Sequence, residues 1–499
     1  MSGAFQKSTS PSLSVNAQDL PELEKFFPSP AYDRKALKSG ILHMSVGGFH
    51  RSHQAVYLDE FLNQFGGDWM ITGVGLLPQD IDNLKILEKQ DSLYSVLERS
   101  PDGDHVRIVG SMKDVIHAPS NPKAVIEKIA SPEIKIVSLT VTEKGYYYDD
   151  KRNLNAAHPA IQNDSELPEA PQTAYGYLVK GLQLRRANNA GPVTIMCCDN
   201  LPGNGHITEH LLMQFVAIAD PSLADWIREN VSFPNAMVDR ITPVTTDKIR
   251  EILKSNFNLN DGWPVVCEDY IQWIIEDKFI AGRPALENVG VQFVAEVDPY
   301  EKMKVRLLNG SHSALSYVSY LMGYREVDKA MADPMISKFV RAYMDECITP
   351  SVPDVPGIDL DAYKDKLISR FANPSISDQV QRLAEDGSQK IRNAIVPPLE
   401  FQLKHNGSIK WIALALAAWF RYLQGTDEKA QPIEIKDPMA ETLSSRARID
   451  GKNPAGLLGV DEIFGSRLIG ENRLVQEMGK YLEEIHSTGM KATLEKALR

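Results

Sequence analysis

Apolar and polar positions follow two regimes along this chain. Up to about residue 300, short apolar runs alternate with stretches of helical period. Ile41–Val46 (ILHMSV) reads as a buried strand, Gly47-Gly48-Phe49 as a turn, and His50 to Phe65 as a helix. Trp69–Gly75, Leu93–Leu97, Val106–Gly110, Ile134–Val141 and Val193–Cys198 read as further strands, with a helix over Thr173–Arg186. Cys267–Phe279 and Val289–Val297 are strand-like or mixed. Such alternation predicts an α/β unit with a largely parallel sheet and helices on both faces. Beyond about residue 300 helical spacing takes over, at 302–323, 326–348, 360–370, 376–385, 408–424, 459–465 and 470–497. The pattern divides the chain into a polar, proline-containing arm, lying on the surface or partly disordered (1–38), an α/β unit (39–297) and a mostly α-helical unit (298–499). The longest apolar run, Trp411–Phe420, reads as a buried helix and is too short to span a bilayer.

Composition narrows the class. The chain has 499 residues, 43% apolar and 24% charged, ordinary values for a globular protein with ample core. A net charge of −12 argues against nucleic acid or an anionic membrane as partner. Four cysteines without a CxxC spacing suggest neither a disulfide framework nor a cysteine-based zinc site, and they fit a reducing cytoplasm. The first residues show no basic-then-apolar leader pattern.

Candidate chemistry centres on EKMKVRLLNGSHSAL, residues 301–315, with Lys304, Asn309 and His312 in a K-x4-N-x2-H spacing. Read as a continuous helix at about 100° per residue, Asn309 lies about 140° and His312 about 80° from Lys304, so all three share one side. An amine, an amide and an imidazole there make an acid–base site: a desolvated Lys accepts a proton, Asn donates to a developing oxyanion, and His orients a substrate oxygen. The plainer reading is an amphipathic helix with scattered polar residues.

The Met44–Ser52 strand–turn–helix (Met44, Ser45, Val46, Gly47, Gly48, Phe49, His50, Arg51, Ser52) suits a dinucleotide pyrophosphate, because glycines admit close backbone approach and the helix N-terminus favours negative charge. It departs from G-x-G-x-x-G at both ends, with Ser45 at the first glycine position and His50 at the last. Asp80 follows the second strand and is a candidate acceptor for the adenosine ribose, or alternatively a helix cap, since it lies further along than the usual ~20 residues. Asn200, just past a strand, is either a turn former or a ligand donor. Asp239-Arg240 reads as a structural ion pair, and Arg382 and Lys390 as solvated cations around a glycine turn. His50 and His53 allow a metal-site alternative, with no Cys or Glu cluster beside them in sequence. A non-catalytic NAD-binding protein is a second alternative.

Taken together, VGGFHRSHQ (46–54), TVTEKGYY (140–147), CDNLPGNG (198–205), VDRITP (238–243), K-x4-N-x2-H (304–312) and FANPSISDQVQRLAEDGSQK (371–390) resemble the long-chain polyol-specific dehydrogenases of the mannitol dehydrogenase family. The resemblance covers nearly all of the chain after residue 40. It implies an N-terminal Rossmann-like NAD-binding domain, a helical C-terminal domain, and metal-independent interconversion of D-mannitol and D-fructose in a cleft between them. It implies Lys304 as general base, Asn200 and Asn309 as the pair stabilising the alkoxide, and His312 as substrate-orienting. Arg382 and Lys390 become sugar-hydroxyl anchors, Asp239 a supporting residue and Glu301 a proton exit. Other family substrates, such as D-arabinitol, sorbose or sorbitol, and fructuronate, stay open. A phosphate or carboxylate substrate would need a further cation clamp than Arg382 and Lys390. The resemblance leans towards a monomer.

Overall fold

Ser39–Met44 (β1) is buried at every position, as a strand covered on both faces must be. Gly48–Ser52 (α1) and Gln54–Phe65 (α2) follow it. The strands Met70–Gly75 (β2), Met112–His117 (β3), Ile136–Leu139 (β4), Val193–Cys197 (β5) and Val231–Ser232 (β6) complete its sheet. Asn204–Ala219 (α3) follows β5. The spatial order is β3-β2-β1-β4-β5-β6, and every pairing is parallel. The order reverses between β1 and β4, which makes the carboxyl ends of those two strands the ligand crevice of an open α/β sheet. Period-two alternation sorts the core: Ile41 and Ile136 pack on one side, Leu42, Met44, Val137 and Leu139 on the other.

The computed structural model describes residues 12–149, 151–376 and 378–499. The chain divides after Val297 into two compact units. Among the described residues no helix is long and apolar enough to cross a membrane.

Several expected elements are relocated. Tyr94–Ser100 and Gly103–Val109 form an antiparallel hairpin, joined by Val265–Glu268 in a separate three-stranded sheet. Only Pro101 and Asp102 separate the two strands, too few for the crossover that parallel pairing requires. Their place in the parallel sheet is taken by β3, whose polar sequence MKDVIH suits an edge strand. The segment expected as a surface arm is built into this unit: Leu13-Ser14 pairs with Leu259-Asn260, and Val15, Leu23 and Phe27 are buried against Leu93, Leu97 and Ile108. Residues 1–11 lie outside the described part. The helix expected to run unbroken from His50 to Phe65 is interrupted at His53 (φ −121°, ψ −87°). The His53 ring is drawn in between Phe49, Tyr57 and Trp273, and its Nε2 lies 2.8 Å from the Gln272 carbonyl.

Ser45 has φ 75°, the left-handed region that glycine occupies freely. The serine in place of the first motif glycine therefore keeps the glycine's conformation. Its N–H donates to the Val74 carbonyl (2.8 Å), and its own carbonyl accepts from Thr140 Oγ1 (3.0 Å), so both neighbouring strands hold it. Ser45→Val is expected to destabilise the protein by about 1–2 kcal/mol, while Ser45→Gly should be neutral or slightly stabilising. Urea unfolding of both variants measures this, and equal midpoints would remove the strain argument.

The second unit is helical. Asp298–Lys304 (α4) and Gly310–Leu321 (α5) flank a π-helical segment, Val305–Asn309. Val380–Ala384 (α6), Gly387–Lys390 (α7) and Lys410–Tyr422 (α8) follow. As the apolar run requires, α8 is buried along almost its whole length. The long helices expected at 326–348 and 470–497 are broken at Asp333-Pro334 and at Gly489, whose φ is 86°. Two further π segments, Tyr343–Ile348 and Ile391–Ile395, both pack against Val305–Asn309. Gly310 permits that approach: a Cβ there would stand 3.1 Å from Tyr343 Oη and 3.3 Å from the Ala394 carbonyl.

Candidate active site

In the second unit, Lys304 ends α4 and is buried. The continuous α-helix expected over 302–323 is corrected by the π segment, in which the Gly310 N–H donates to the Val305 carbonyl. An i→i+5 turn stacks residues five apart as an α-turn stacks residues four apart, so Asn309 is carried from the flank of Lys304 towards a place above it. His312 lies one turn further on, its ring 4.3 Å from that of Phe371. Burial holds the His312 pKa well below the ordinary imidazole value, and the positive charges of Arg382, Arg370, Lys390 and Lys304 push it the same way. All of these effects favour the neutral imidazole, which both donates and accepts hydrogen bonds.

Arg382 forks onto Asp378, with Nε donating to Oδ1 at 2.6 Å and Nη2 to Oδ2. It stays half exposed at 50%. Lys390 Nζ donates to the Leu383 carbonyl (3.1 Å), and burial lowers its pKa, opposed by Asp386. Arg382 and Lys390, solvated cations on the plainer reading, therefore share the surroundings of His312. Glu301 lies one helical turn before Lys304 and is half-buried. Sequence reasoning missed Arg370 and Phe371. The signal was present, because Phe371 opens the block FANP and Arg370 precedes it.

In the first unit, the turn between β1 and α1 sits at the β1/β4 reversal. A Cβ on Gly47 would meet only the Ser45 carbonyl, at 4.0 Å, so one side of the turn is open. The side chains of Met44, Arg51 and Ser52, expected to serve a cofactor, point into the protein instead. Arg51 packs over the Trp263 ring (3.7 Å) and donates to the Trp263 carbonyl (2.5 Å), while Ser52 Oγ meets Thr242 Oγ1 at 2.8 Å. Val46 and Phe49 pack against the core, so the open part of the turn offers mainly backbone. His50 stacks on His43 with ring centroids 3.5 Å apart, whereas His53 reaches the Gln272 carbonyl; the two histidines have separate surroundings. Among the described residues, no three His, Cys, Asp or Glu side chains gather in a metal-holding arrangement.

Asp80 lies five residues beyond the end of β2, and its Oδ2 accepts from the Leu77 N–H at 2.9 Å; at the N-cap of Ile81–Lys89 its side chain makes no cap bond, unlike the plainer reading. Asn200 is exposed in the loop between β5 and α3. Beside it Asp199 accepts from the N–H groups of Val141 and Thr142 and from the Tyr146 hydroxyl, clamping the loop after β4 to the loop after β5. Asp239 is buried at the end of β-strand Ala236–Asp239. Arg240, expected to pair with Asp239, forms an ion pair with Glu98 at 2.7 Å and donates to the Ser52 carbonyl.

Burial lowers the pKa of His43 and of His53 to about 3, and burial together with the neighbouring His43 lowers that of His50. An unfolded chain therefore binds more protons than the native one below the ordinary imidazole pKa of ~6.5, and stability falls as pH falls through that value. We expect unfolding free energy to drop by about 1 kcal/mol per pH unit for each of these three histidines. Urea midpoints between pH 7 and pH 5 test this. A flat profile would show that one or more becomes charged in the native state.

Two family models match the chain: the mannitol dehydrogenase Rossmann domain over residues 39–288 and the mannitol dehydrogenase C-terminal domain over 296–486. The chain is 42% identical to mannitol 2-dehydrogenase of Pyricularia oryzae, with 99% of each chain covered. Among solved structures, Pseudomonas fluorescens mannitol 2-dehydrogenase, a ternary complex with NAD and D-mannitol, is 43% identical with a TM-score of 0.88, covering 97% of this chain and 99% of that one. A substrate-free D-sorbitol dehydrogenase is 34% identical with a TM-score of 0.87, covering 94% and 97%.

Proposed function

The chain belongs to the mannitol dehydrogenase family, and from that premise we propose that it is an NAD-dependent polyol dehydrogenase interconverting D-mannitol and D-fructose at C2. The observation that carries this reading is the turn after β1, left-handed at Ser45 and open at Gly47, at the reversal of a parallel sheet, in a chain whose other unit buries Lys304 at the end of α4. The turn suits the cofactor, with Ser45 left-handed, Gly47 open on one side, and the sheet reversing where a pyrophosphate is held. Residues 44–50 would hold the pyrophosphate largely through backbone, and Asp80 would accept from the ribose hydroxyls. When bound, NAD supplies the acceptor for the hydride leaving the carbinol carbon.

Lys304, buried at the end of α4, takes the hydroxyl proton, which requires its neutral form. The carboxamides of Asn309 and Asn200 donate to the oxygen as negative charge builds on it. His312 orients a neighbouring hydroxyl, Arg382 and Lys390 hold others, and Asp239 supports the site. Glu301 passes the proton onward. Proton removal and charge stabilisation both come from side chains, so the reaction needs no metal, and activity is expected to survive exhaustive chelation. The four cysteines are buried and free, which agrees with a cytoplasmic enzyme. A panel of mannitol, sorbitol and arabinitol with NAD and NADP, followed by absorbance of the reduced cofactor, tests the proposal. Mannitol with NAD should be turned over fastest. No polyol-dependent reduction would end this reading, and sorbitol as the best substrate would move it to the other side of the family.

A further inference from the structure

Beneath the β1–α1 turn lies a line of polar side chains to which the proposed reaction gives no role. His43, Ser138, His50 and Gln54 are all at least 98% buried. His43 Nδ1 is 2.8 Å from Ser138 Oγ, and its Nε2 is 2.9 Å from Thr140 Oγ1. Thr140 Oγ1 in turn donates to the Ser45 carbonyl at 3.0 Å. At the other end, Ser138 Oγ is 3.1 Å from Gln54 Oε1, which is 3.0 Å from His50 Nδ1. His43 and Ser138 are register partners on adjacent parallel strands, so the line bridges β1 and β4 where the sheet reverses.

With the Thr140 hydroxyl assigned to the Ser45 carbonyl, hydrogen counting gives this line one direction. A carbonyl only accepts, so the single Thr140 hydroxyl hydrogen is used on Ser45. Thr140 Oγ1 must then accept from His43 Nε2–H. Neutral His43 carries one N–H, which leaves Nδ1 bare to accept from the Ser138 hydroxyl. That uses the only hydrogen of Ser138, so its contact with Gln54 needs an amide donor. The Gln54 carboxamide is therefore turned with its nitrogen towards Ser138 and His50, an interchange that heavy-atom positions alone do not distinguish. His50 Nδ1 accepts, and its hydrogen sits on Nε2.

We propose that this ordered line, with His43 at its centre and Thr140 at its tip, is a positioning device that holds Ser45 in its left-handed conformation and so pre-shapes the cofactor turn. His43 and Thr140 act through Ser45 rather than on the reacting atoms. The inference rests on reading residues 44–52 as the NAD turn. It accounts for a serine where glycine is the unstrained choice: the Ser45 carbonyl is pulled into place from β4 while its N–H is held by β2.

The test is Thr140→Val, which keeps the shape and removes the donor, with Thr140→Ser as the conservative rescue. Losing one neutral hydrogen bond that shapes the turn should raise the Kd and KM for NAD about 10-fold. The KM for polyol and kcat at saturating NAD should change less than about 3-fold, a factor worth under 1 kcal/mol of barrier. T140S should restore NAD affinity. Ser45→Gly combined with T140V should recover most of the loss, because glycine reaches the left-handed region unaided. Nitrogen-15 NMR of the wild type should show His43 protonated at Nε2. Wild-type NAD affinity in T140V, or a penalty that persists in the S45G background, would overturn the inference, as would a His43 proton on Nδ1. Wild-type protein that binds no NAD would instead overturn the reading of the turn itself.

Discussion

Replacing Lys304 by alanine is expected to lower kcat for polyol oxidation by about 10²–10⁴-fold, the range supplied by a positioned general base. The residue is buried at the end of α4, and its charge is felt at His312. NAD affinity, measured by fluorescence titration, should stay within about 2-fold, since Lys304 lies outside residues 44–52, to which this reading assigns the pyrophosphate. A general-base role adds a second signature: the acid limb of the wild-type pH–rate profile should disappear in Lys304→Ala, and added primary amines should restore part of the rate. Lys304→Arg should not rescue, because guanidinium does not lose its proton in this pH range. A Lys304→Ala enzyme with most of its oxidation rate would remove the residue from the mechanism.

The second large effect is expected at the two carboxamides. Asn309→Ala and Asn200→Ala should each reduce kcat by about 10²–10³-fold, equivalent to roughly 3 kcal/mol of barrier, with little change in the KM for polyol. The asymmetry follows from where charge builds: a neutral hydroxyl gains little from an amide donor, whereas the alkoxide-like oxygen gains much. Steady-state kinetics with deuterated and ordinary mannitol provides the check. Slower chemistry should raise the isotope effect on kcat towards its intrinsic value, whereas a purely structural lesion would leave it unchanged. A loss confined to KM would place these residues in ground-state binding only.

The helical residues show how far local pattern reaches. The K-x4-N-x2-H spacing put three polar groups on one face under α-helical geometry, and the structure inserts a π segment between Lys304 and Gly310 that alters their angular relation. The π segment is invisible in the spacing, because its extra residue per turn is stabilised by Tyr343–Ile348 and Ile391–Ile395 packing against it. Arg51 shows the opposite failure. Its place in VGGFHRSHQ suggested a ligand contact, but Trp263 and Tyr94, far off in sequence, enclose its guanidinium. Arg240 likewise reaches Glu98, far off in sequence and in a different sheet from Ala236–Asp239.

What the amino-acid order alone determined is whatever depends on neighbours along the chain. Strands β1, β2, β4 and β5, the glycine turn, the buried helix α8 and the change of regime near residue 300 all follow from apolar period and backbone preference. The tertiary structure decided pairing and partners. It set the strand order around β1, made a hairpin of Tyr94–Val109, drew Val15, Leu23 and Phe27 into the core and set His312 against Phe371. The physical reason is the range of the forces. Side-chain period and φ preferences act within a few residues, whereas burial, charge and hydrogen bonding act between groups that only the folded chain brings together.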